Sequence, residues 1–271
     1  MAVSSQVVVE GVGLHTGAPS RVILTSRPGP VCLRARGVEA PLAELVVAST
    51  ARATTVETRR GDLRVGTVEH IFGALAGLGI YDGLLLDVEG PEMPLLDGAS
   101  SAWCDALVRL QLPGTCPRLR VARPAVYEVG PSRFELAPGD GTVDVSVRLE
   151  VDDARLERDA RWRGGAEDFV GRIAPARTFV LGHELDELVR RGLARHVDPA
   201  CVVVVTPEAL LHAGRLALPD EPVRHKLLDL VGDLYLVGGP PLGRIHAVRP
   251  GHAANARAIR RALSDGALAP L

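Results

Sequence analysis

The chain has 271 residues, of which 46% are hydrophobic and 24% charged, and it is long enough to bury a full core. A formal net charge of −2 and an aromatic content of 3% argue against a nucleic-acid partner, which needs a basic surface or base-stacking side chains. The N-terminus lacks the pattern of a signal peptide, and the longest apolar runs fall far short of the ~20 residues of a membrane span, so we expect a cytoplasmic protein.

The first part of the chain shows strand patterns followed by helix patterns. Apolar residues at helical spacing predict a helix over 67–79, with Thr67 as its N-cap. A second helix is predicted over 100–110, and a strand at 84–88 and a loop at 91–97 lie between the two. The strands predicted before these helices are 5–10, 21–25, 42–47 and 52–58.

The same order of elements returns after a segment rich in proline and glycine, residues 112–118, which is the predicted linker. The later strands are 125–129, 133–136, 143–151, 201–205 and 243–248, and the later helices are 182–191, 223–237 and 255–264. Strands and then helices, twice over, predict an α+β fold of two similar domains, 1–117 and 118–271, each a β-sheet layered with helices.

The helix predicted at 223–237 carries His225, Asp229 and Asp233 at intervals of four, which places them on one helix face. An imidazole and a carboxylate four residues apart can bind the same metal ion. The same spacing is also typical of a solvated helix face with a His–Asp pair. The spacing alone leaves both interpretations open.

A charged pair, Glu69 and His70, begins the otherwise apolar helix at 67–79. A buried carboxylate needs partners because it is costly without them, so one interpretation is a functional pair. The other is an exposed first turn, where the helix dipole favours glutamate.

Three further residues or pairs stand out less strongly. His252 follows Gly251 just beyond a predicted strand, a place where loop histidines are often functional and often not. Thr178 and Phe179 form a polar–aromatic pair ahead of a predicted helix. Lys226 is the only lysine among 31 basic residues, and its place beside His225 favours a specific use of its compact ammonium.

Motifs that follow one another along nearly the whole chain are 11–17 (GVGLHTG), 67–70 (TVEH), 74–80 (ALAGLGI), 94–98 (PLLDG), 176–179 (ARTF), 221–226 (EPVRHK), Asp229, 232–235 (GDLY) and 251–252 (GH). In this order they resemble the zinc-dependent UDP-3-O-acyl-N-acetylglucosamine deacetylase family, which carries out the committed step of lipid A biosynthesis. The resemblance implies an enzyme with its active site in the cleft between two α+β domains.

The resemblance also implies a metal cofactor and residues that bind it. His70, His225 and Asp229 would hold Zn²⁺, with Fe²⁺ as the alternative, and would leave one coordination position open. Lys226 and Phe179 would contact the substrate.

The acid and base are likewise implied by the resemblance. Glu69 would be the general base, and His252 would stabilise the oxyanion or protonate the departing amine. Asp233 would orient and charge-tune His252, and Thr178 would donate a hydrogen bond to the oxyanion.

The implied partner is a UDP-linked acylated amino sugar, whose acetamide would be hydrolysed with release of acetate, by a chain that we expect to be a monomer. The sequence departs from the family's pattern at 194–201, where it reads HVDPAC over 196–201 in place of Gly-Gly-Ser-x-x-Asn. It also reads DGAS at 97–100 in place of Asp-Gly-Ser.

Two alternatives to this function remain. Because the segment at 194–201 adjoins the acyl-chain passage in the family, one alternative is a related metal-dependent deacetylase that acts on a different acylated amino sugar. The other is a catalytically silent paralogue that acts as a binding protein. The intact acid, base and metal positions argue against the second.

Overall fold

The computed structural model describes residues 5–151, 153–182, 198–212, 215–216 and 218–271. Over these ranges the chain forms several β-sheets together with helices, which confirms the α+β class. The helix predicted at 182–191 lies outside the described residues except for Gly182. In the described part of the chain, no helix is long and apolar enough to cross a membrane.

The elements of the first half are β1 (Gln6–Val12), β2 (Pro19–Pro30), β3 (Cys32–Ala35), β4 (Val38–Pro41), β5 (Leu45–Ser49), β6 (Thr55–Thr58), β7 (Arg64–Val65), α1 (Glu69–Gly77), β8 (Asp82–Glu89) and α2 (Ser101–Val108). They form a five-stranded sheet in the order β1-β2-β8-β3-β4, antiparallel except for the β3–β8 pair, and a small antiparallel sheet of β5, β6 and β7. A 3₁₀ turn, Leu42–Glu44, precedes β5.

The elements described in the second half are β9 (Leu119–Val121), β10 (Ala125–Val129), β11 (Ser132–Ala137), β12 (Val143–Arg148), β13 (Asp159–Trp162), α3 (Ala166–Asp168), β14 (Thr178–Leu181), β15 (Val202–Val205), β16 (Leu210–His212), β17 (Arg215–Leu216), α4 (Glu221–Tyr235), β18 (Gly243–Val248), α5 (His252–Ser264) and β19 (Leu268–Pro270). They form a mixed five-stranded sheet in the order β10-β11-β18-β12-β13, a four-stranded sheet β14-β15-β16-β17 and the pair β19-β9. A π-helical segment, Phe169–Ile173, continues α3, and a 3₁₀ turn, Pro199–Cys201, precedes β15.

Helices α1 and α4 pack directly on each other at the centre of the molecule. Every residue of α1 is buried, and so is every residue of α4 except Lys226. The backbones approach closely because Gly232 has no side chain: a Cβ there would lie 2.1 Å from the carbonyl oxygen of Glu69. Polar residues on these two helices are therefore held inside the protein, where each needs a partner.

Two helix starts that bear on the site, those of α1 and α5, differ from the sequence prediction. The N-cap of α1 is Val68, so the prediction of Thr67 as the N-cap was wrong. Thr67 instead has a φ of 56°, and its hydroxyl donates a hydrogen bond to Glu92 Oε2 at 2.8 Å. Helix α5 begins at His252, three residues earlier than predicted, so His252 lies in a helical first turn instead of a loop.

Several strands also differ from their predicted bounds. The strand predicted at 52–58 begins only at Thr55, and β3 and β4 were not predicted at all. Thr178 and Phe179, which were expected ahead of a helix, lie in strand β14, which pairs in parallel with β15. Strands β3, β4 and β14 have only four residues each, which is too short for propensity alone to distinguish them from loops.

The predicted linker contains no helix or strand over 112–117. The two halves nevertheless share one continuous apolar core, which runs from the inner faces of both large sheets through α1 and α4. The division into domains 1–117 and 118–271 stays a prediction.

Candidate active site

Three potential metal ligands come together where α1 meets α4. His70 lies on α1, and His225 and Asp229 lie one turn apart on α4. One ligand atom from each lies within 4.8 Å of the other two, and all three side chains are buried. The alternative of a solvated helix face for His225 and Asp229 is therefore wrong.

Contacts behind the ligands fix their orientation. The Nδ1 atom of His225 lies 2.9 Å from the carbonyl oxygen of Ala176, and because a carbonyl only accepts, Nδ1 carries the hydrogen. The Nε2 atom of His225, which then has a free lone pair, faces Asp229, and its distance to Asp229 Oδ1 is 3.3 Å. The hydroxyl of Ser100 donates to the carbonyl oxygen of His70 at 2.6 Å and so holds the first turn of α1. Such outer contacts are typical of metal-binding histidines.

The Asp229 carboxylate has one oxygen with a partner and one without. Lys226 Nζ lies 2.9 Å from Oδ2, whereas Oδ1 is buried and receives no hydrogen bond from any described residue. A buried carboxylate oxygen without a donor is costly, and a bound cation would remove that cost. The residues present therefore fit a divalent ion.

The protonation states of the three residues suit the same conclusion. Burial, together with the neighbouring His225, lowers the pKa of His70 to about 3, and burial also lowers the pKa of His225. Burial alone would raise the pKa of Asp229, but His225 and Lys226 hold it well below its usual range. Two neutral imidazoles and one ionised carboxylate are a donor set for Zn²⁺ or Fe²⁺.

Glu69 lies next to His70 and is also buried, with 3% of its surface exposed, so the alternative of an exposed first turn is wrong. Its Oε2 accepts a hydrogen bond from the backbone N–H of Thr54 at 3.0 Å. Burial raises the pKa of Glu69 to about 7, although His252 opposes the rise. The carboxylate can therefore gain and lose a proton near neutral pH.

His252 faces the cluster from the start of α5. Its Nε2 lies 3.8 Å from Glu69 Oε1 and 3.9 Å from Asp229 Oδ2, and its Nδ1 lies 3.0 Å from Asp233 Oδ2. Burial alone would lower the pKa of His252, but the Asp233 and Asp229 carboxylates outweigh it and raise the pKa to about 10. The ring is thus an imidazolium at neutral pH.

Two residues that the sequence did not single out hold Asp233. Thr54 Oγ1 donates to Asp233 Oδ1 at 2.6 Å, and Asn255 Nδ2 donates to Oδ2 at 2.8 Å. Asn255 lies three residues after His252 on one helix face, a spacing that could have drawn attention to it. Thr54 has no such signal, since it comes from the loop before β6 and meets Asp233 only in the fold.

The proposed substrate-contacting residues lie beside the cluster. Lys226 Nζ lies 5.3 Å from the centre of the Phe179 ring, a cation–π distance. Desolvation of Lys226 lowers its pKa, but the neighbouring Asp229 carboxylate outweighs this effect and raises the pKa, so the side chain is an ammonium. The Thr178 hydroxyl makes no hydrogen bond to the cluster among the described residues; its backbone N–H donates to the Gly98 carbonyl at 2.8 Å.

Together these groups can bind a divalent cation, accept a proton at Glu69 and donate one from His252, which are the elements of metal-assisted hydrolysis. A family model described as UDP-3-O-acyl N-acetylglycosamine deacetylase matches residues 1–264.

Curated relatives carry the same description. The chain is 39% identical to a UDP-3-O-acyl-N-acetylglucosamine deacetylase of Myxococcus xanthus (strain DK1622), over 95% of this chain and 84% of that protein. It is 34% identical to a protein of the same name from Anaeromyxobacter dehalogenans (strain 2CP-C), over 98% of this chain and 87% of the relative. A third, from Sodalis glossinidius (strain morsitans), is 35% identical over 94% of this chain and 86% of the relative.

Proposed function

This chain belongs to the UDP-3-O-acyl-N-acetylglucosamine deacetylase family, and we propose that it hydrolyses the acetamide of UDP-3-O-acyl-N-acetylglucosamine and releases acetate. Family membership makes the chain an enzyme, an amide hydrolase. The observation that carries the proposal is one buried site in which Glu69 and His252 face each other beside the potential metal ligands.

In this proposal His70, His225 and Asp229 hold the metal ion, Zn²⁺ or alternatively Fe²⁺. When bound, such an ion polarises an amide carbonyl and lowers the pKa of a water molecule from ~16 to ~7. Asp229 Oδ1, which receives no hydrogen bond from a described residue, supports this assignment, because the ion would supply a positive partner for it.

Glu69 acts as the general base. Its Oε1 takes a proton from the attacking water, while Oε2 is held by the Thr54 backbone N–H. A pKa of about 7 suits this step, since the carboxylate is largely ionised just above neutrality and still basic enough to accept the proton.

His252 acts as the general acid. Nδ1 faces Asp233, so the proton that leaves comes from Nε2, which faces Glu69 and Asp229. When the C–N bond of the acetamide breaks, this proton goes to the amine nitrogen and acetate departs. In the proposal Thr178 donates a hydrogen bond to the carbonyl oxygen as it gains charge, and Lys226 and Phe179 contact the sugar.

We propose further that the reaction serves lipid A biosynthesis, as the resemblance of the sequence motifs to this family implies. The cytoplasmic location and the monomeric state stay predictions.

A related metal-dependent deacetylase that acts on a different acylated amino sugar is the second candidate, favoured by the segment at 194–201. Within its described part, Cys201 Sγ donates to the Leu96 carbonyl oxygen at 2.8 Å. A Cβ on Gly98 would lie 1.8 Å from the Cys201 carbonyl oxygen. Cys201 thus packs tightly on the loop 94–98 that matches the family, and a change at Cys201 would alter the surroundings of Thr178, whose backbone N–H donates to the Gly98 carbonyl oxygen.

The test is anaerobic purification, metal quantification, and an assay of acetate release from UDP-3-O-acyl-N-acetylglucosamine with acyl chains of several lengths. We expect about one divalent ion per chain and release of one acetate per amine formed. Acetate release from a different acylated amino sugar, with none from UDP-3-O-acyl-N-acetylglucosamine of any chain length, supports the second candidate. A metal-loaded protein that releases no acetate from any of these substrates overturns the proposal.

A further inference from the structure

Thr54 touches both the proposed base and the proposed acid, although it lies far from each in sequence. Its backbone N–H donates to Glu69 Oε2 at 3.0 Å. Its hydroxyl lies 2.6 Å from Asp233 Oδ1 and 3.2 Å from His252 Nδ1. The side chain is buried, so water does not compete for these bonds.

The chemistry of these groups fixes the direction of each hydrogen bond. The threonine hydroxyl has one proton, and the Asp233 carboxylate can only accept, so this proton points at Oδ1. The oxygen lone pairs of Thr54 are then left for His252 Nδ1, which must carry a hydrogen to meet them and Asp233 Oδ2. Thr54 and Asp233 together thus hold the imidazole with Nδ1 protonated and Nε2 towards Glu69.

The backbone of Thr54 is anchored at the same place. Its carbonyl oxygen accepts from the N–H of Val68, the residue just before α1, at 3.2 Å. Arg52, two residues earlier, has a φ of 68°, a strained conformation for a side chain of that size. The turn that brings Thr54 into the site is therefore held by contacts to the first turn of α1, where Glu69 lies.

We propose that Thr54 is a positioning residue that couples Glu69 to the Asp233–His252 pair, an inference that rests on the hydrolysis proposed above. A β-branched side chain is stiff at χ1, which keeps the hydroxyl aimed at both partners. Replacement by valine keeps the shape, removes the donor to Asp233 Oδ1 and removes the acceptor for His252 Nδ1.

The kinetic test compares Thr54→Val, Thr54→Ser and a matched control, Thr55→Val, with the wild type. Thr55 is the neighbouring threonine, and its hydroxyl makes no hydrogen bond to another described residue. We expect Thr54→Val to lower kcat roughly 10- to 100-fold, part of the ~10²–10⁴ that general acid–base catalysis contributes, with KM and metal content nearly unchanged. Thr54→Ser restores the hydroxyl and should recover most of kcat, and Thr55→Val should match the wild type.

A second readout needs no substrate. Long-range ¹H–¹⁵N spectra of the imidazoles, with the His252 signals assigned from His252→Gln, report which ring nitrogen is protonated. We expect the His252 Nδ1 signal to shift in Thr54→Val and to return in Thr54→Ser. If the wild type does not release acetate, the proposed function fails, while these spectra still test the position of Thr54.

Two results would overturn the inference: a kcat for Thr54→Val equal to that of the wild type, or an unchanged His252 spectrum. A role in folding alone would lower the melting temperature without a separate loss of kcat. If Thr54→Val does not fold, Thr54→Ala removes the same hydroxyl without adding an atom, and the same two measurements decide.

Discussion

The Nε2 atom of His252 lies 3.8 Å from Oε1 of Glu69, so the two groups that we propose as acid and base influence each other's charge. The negative charge of Glu69 helps to raise the pKa of His252, and the positive charge of His252 opposes the rise in the pKa of Glu69. Each therefore favours the charged form of the other. The state with Glu69 ionised and His252 protonated is the one that the proposed reaction requires.

A bell-shaped pH profile follows from this pair. Activity requires Glu69 without its proton, so kcat/KM should rise as pH increases through the Glu69 pKa of about 7. It also requires His252 with its proton, so kcat/KM should fall as pH increases through the His252 pKa of about 10. A bound divalent cation favours the deprotonated form of each, so with metal present both limbs move to lower pH. Steady-state kinetics across this range measure both limbs.

The variant His252→Gln assigns the limbs. It lacks the group that titrates at high pH, so its residual activity should keep the rising limb and lose the falling one. A falling limb that persists in this variant would show that another group carries it.

Glu69→Gln tests the base with little change of shape. The amide oxygen of glutamine still accepts the hydrogen bond from Thr54, but the side chain takes no proton at neutral pH. We expect kcat to fall by ~10²–10⁴, with metal content unchanged because Glu69 is outside the proposed ligand set. Glu89→Gln, an exposed residue that pairs with Arg21, is the matched control and should keep normal activity. Loss of the metal together with activity would instead make Glu69 a ligand.

Metal removal tests the cluster through stability as well as activity. A chelator should abolish turnover, and Zn²⁺ or Fe²⁺ should restore it. Since the ion binds the folded state, a concentration of 100 times Kd should stabilise the protein by about 2.7 kcal/mol, measurable as a rise in Tm. Asp229→Asn should lose this rise, whereas Asp220→Asn, at the start of the same helix, should keep it. An equal rise in both variants would place the ion elsewhere.

The sequence correctly predicted that His225, Asp229 and Asp233 lie on one face of α4, because helix geometry alone fixes how side chains four residues apart are arranged. These residues are four apart in sequence, so they lie on the same helix face whatever the helix packs against. What the spacing did not decide was burial, which depends on α1 packing against the same helix. The alternative of a solvated helix face could therefore be rejected only from the three-dimensional structure.

Thr54 shows the limit of local patterns. It belongs to the loop before β6, and its hydroxyl contacts Asp233 and His252, more than 170 residues further along the chain. No periodicity encodes such a meeting. The start of α5 was misplaced for a related reason: residues 249–251 (RPG) read as a loop, and His252 follows them immediately as the first helical residue.

Two helix glycines at the α1–α4 interface should respond in opposite ways to the same added methyl group. A Cβ on Gly232 would lie 2.1 Å from the carbonyl oxygen of Glu69, a backbone atom that can move only if the helices separate. A Cβ on Gly73 would meet nothing closer than 3.5 Å, an ordinary contact with Leu228 and Ser100. Alanine is a better helix former than glycine by about 1 kcal/mol. Whether the substitution stabilises or destabilises the protein therefore depends on the steric clash alone.

We expect Gly73→Ala to leave the free energy of unfolding unchanged or to raise it by up to about 1 kcal/mol. Gly232→Ala should lower the same quantity by roughly 1–3 kcal/mol, the usual cost of overpacking. Because the displaced backbone is that of Glu69, Gly232→Ala should also lower kcat, whereas Gly73→Ala should not. Denaturant unfolding and steady-state kinetics on both variants measure these effects. Equal stability and activity in the two variants would mean that α1 and α4 are not in the close contact on which the position of Glu69 depends.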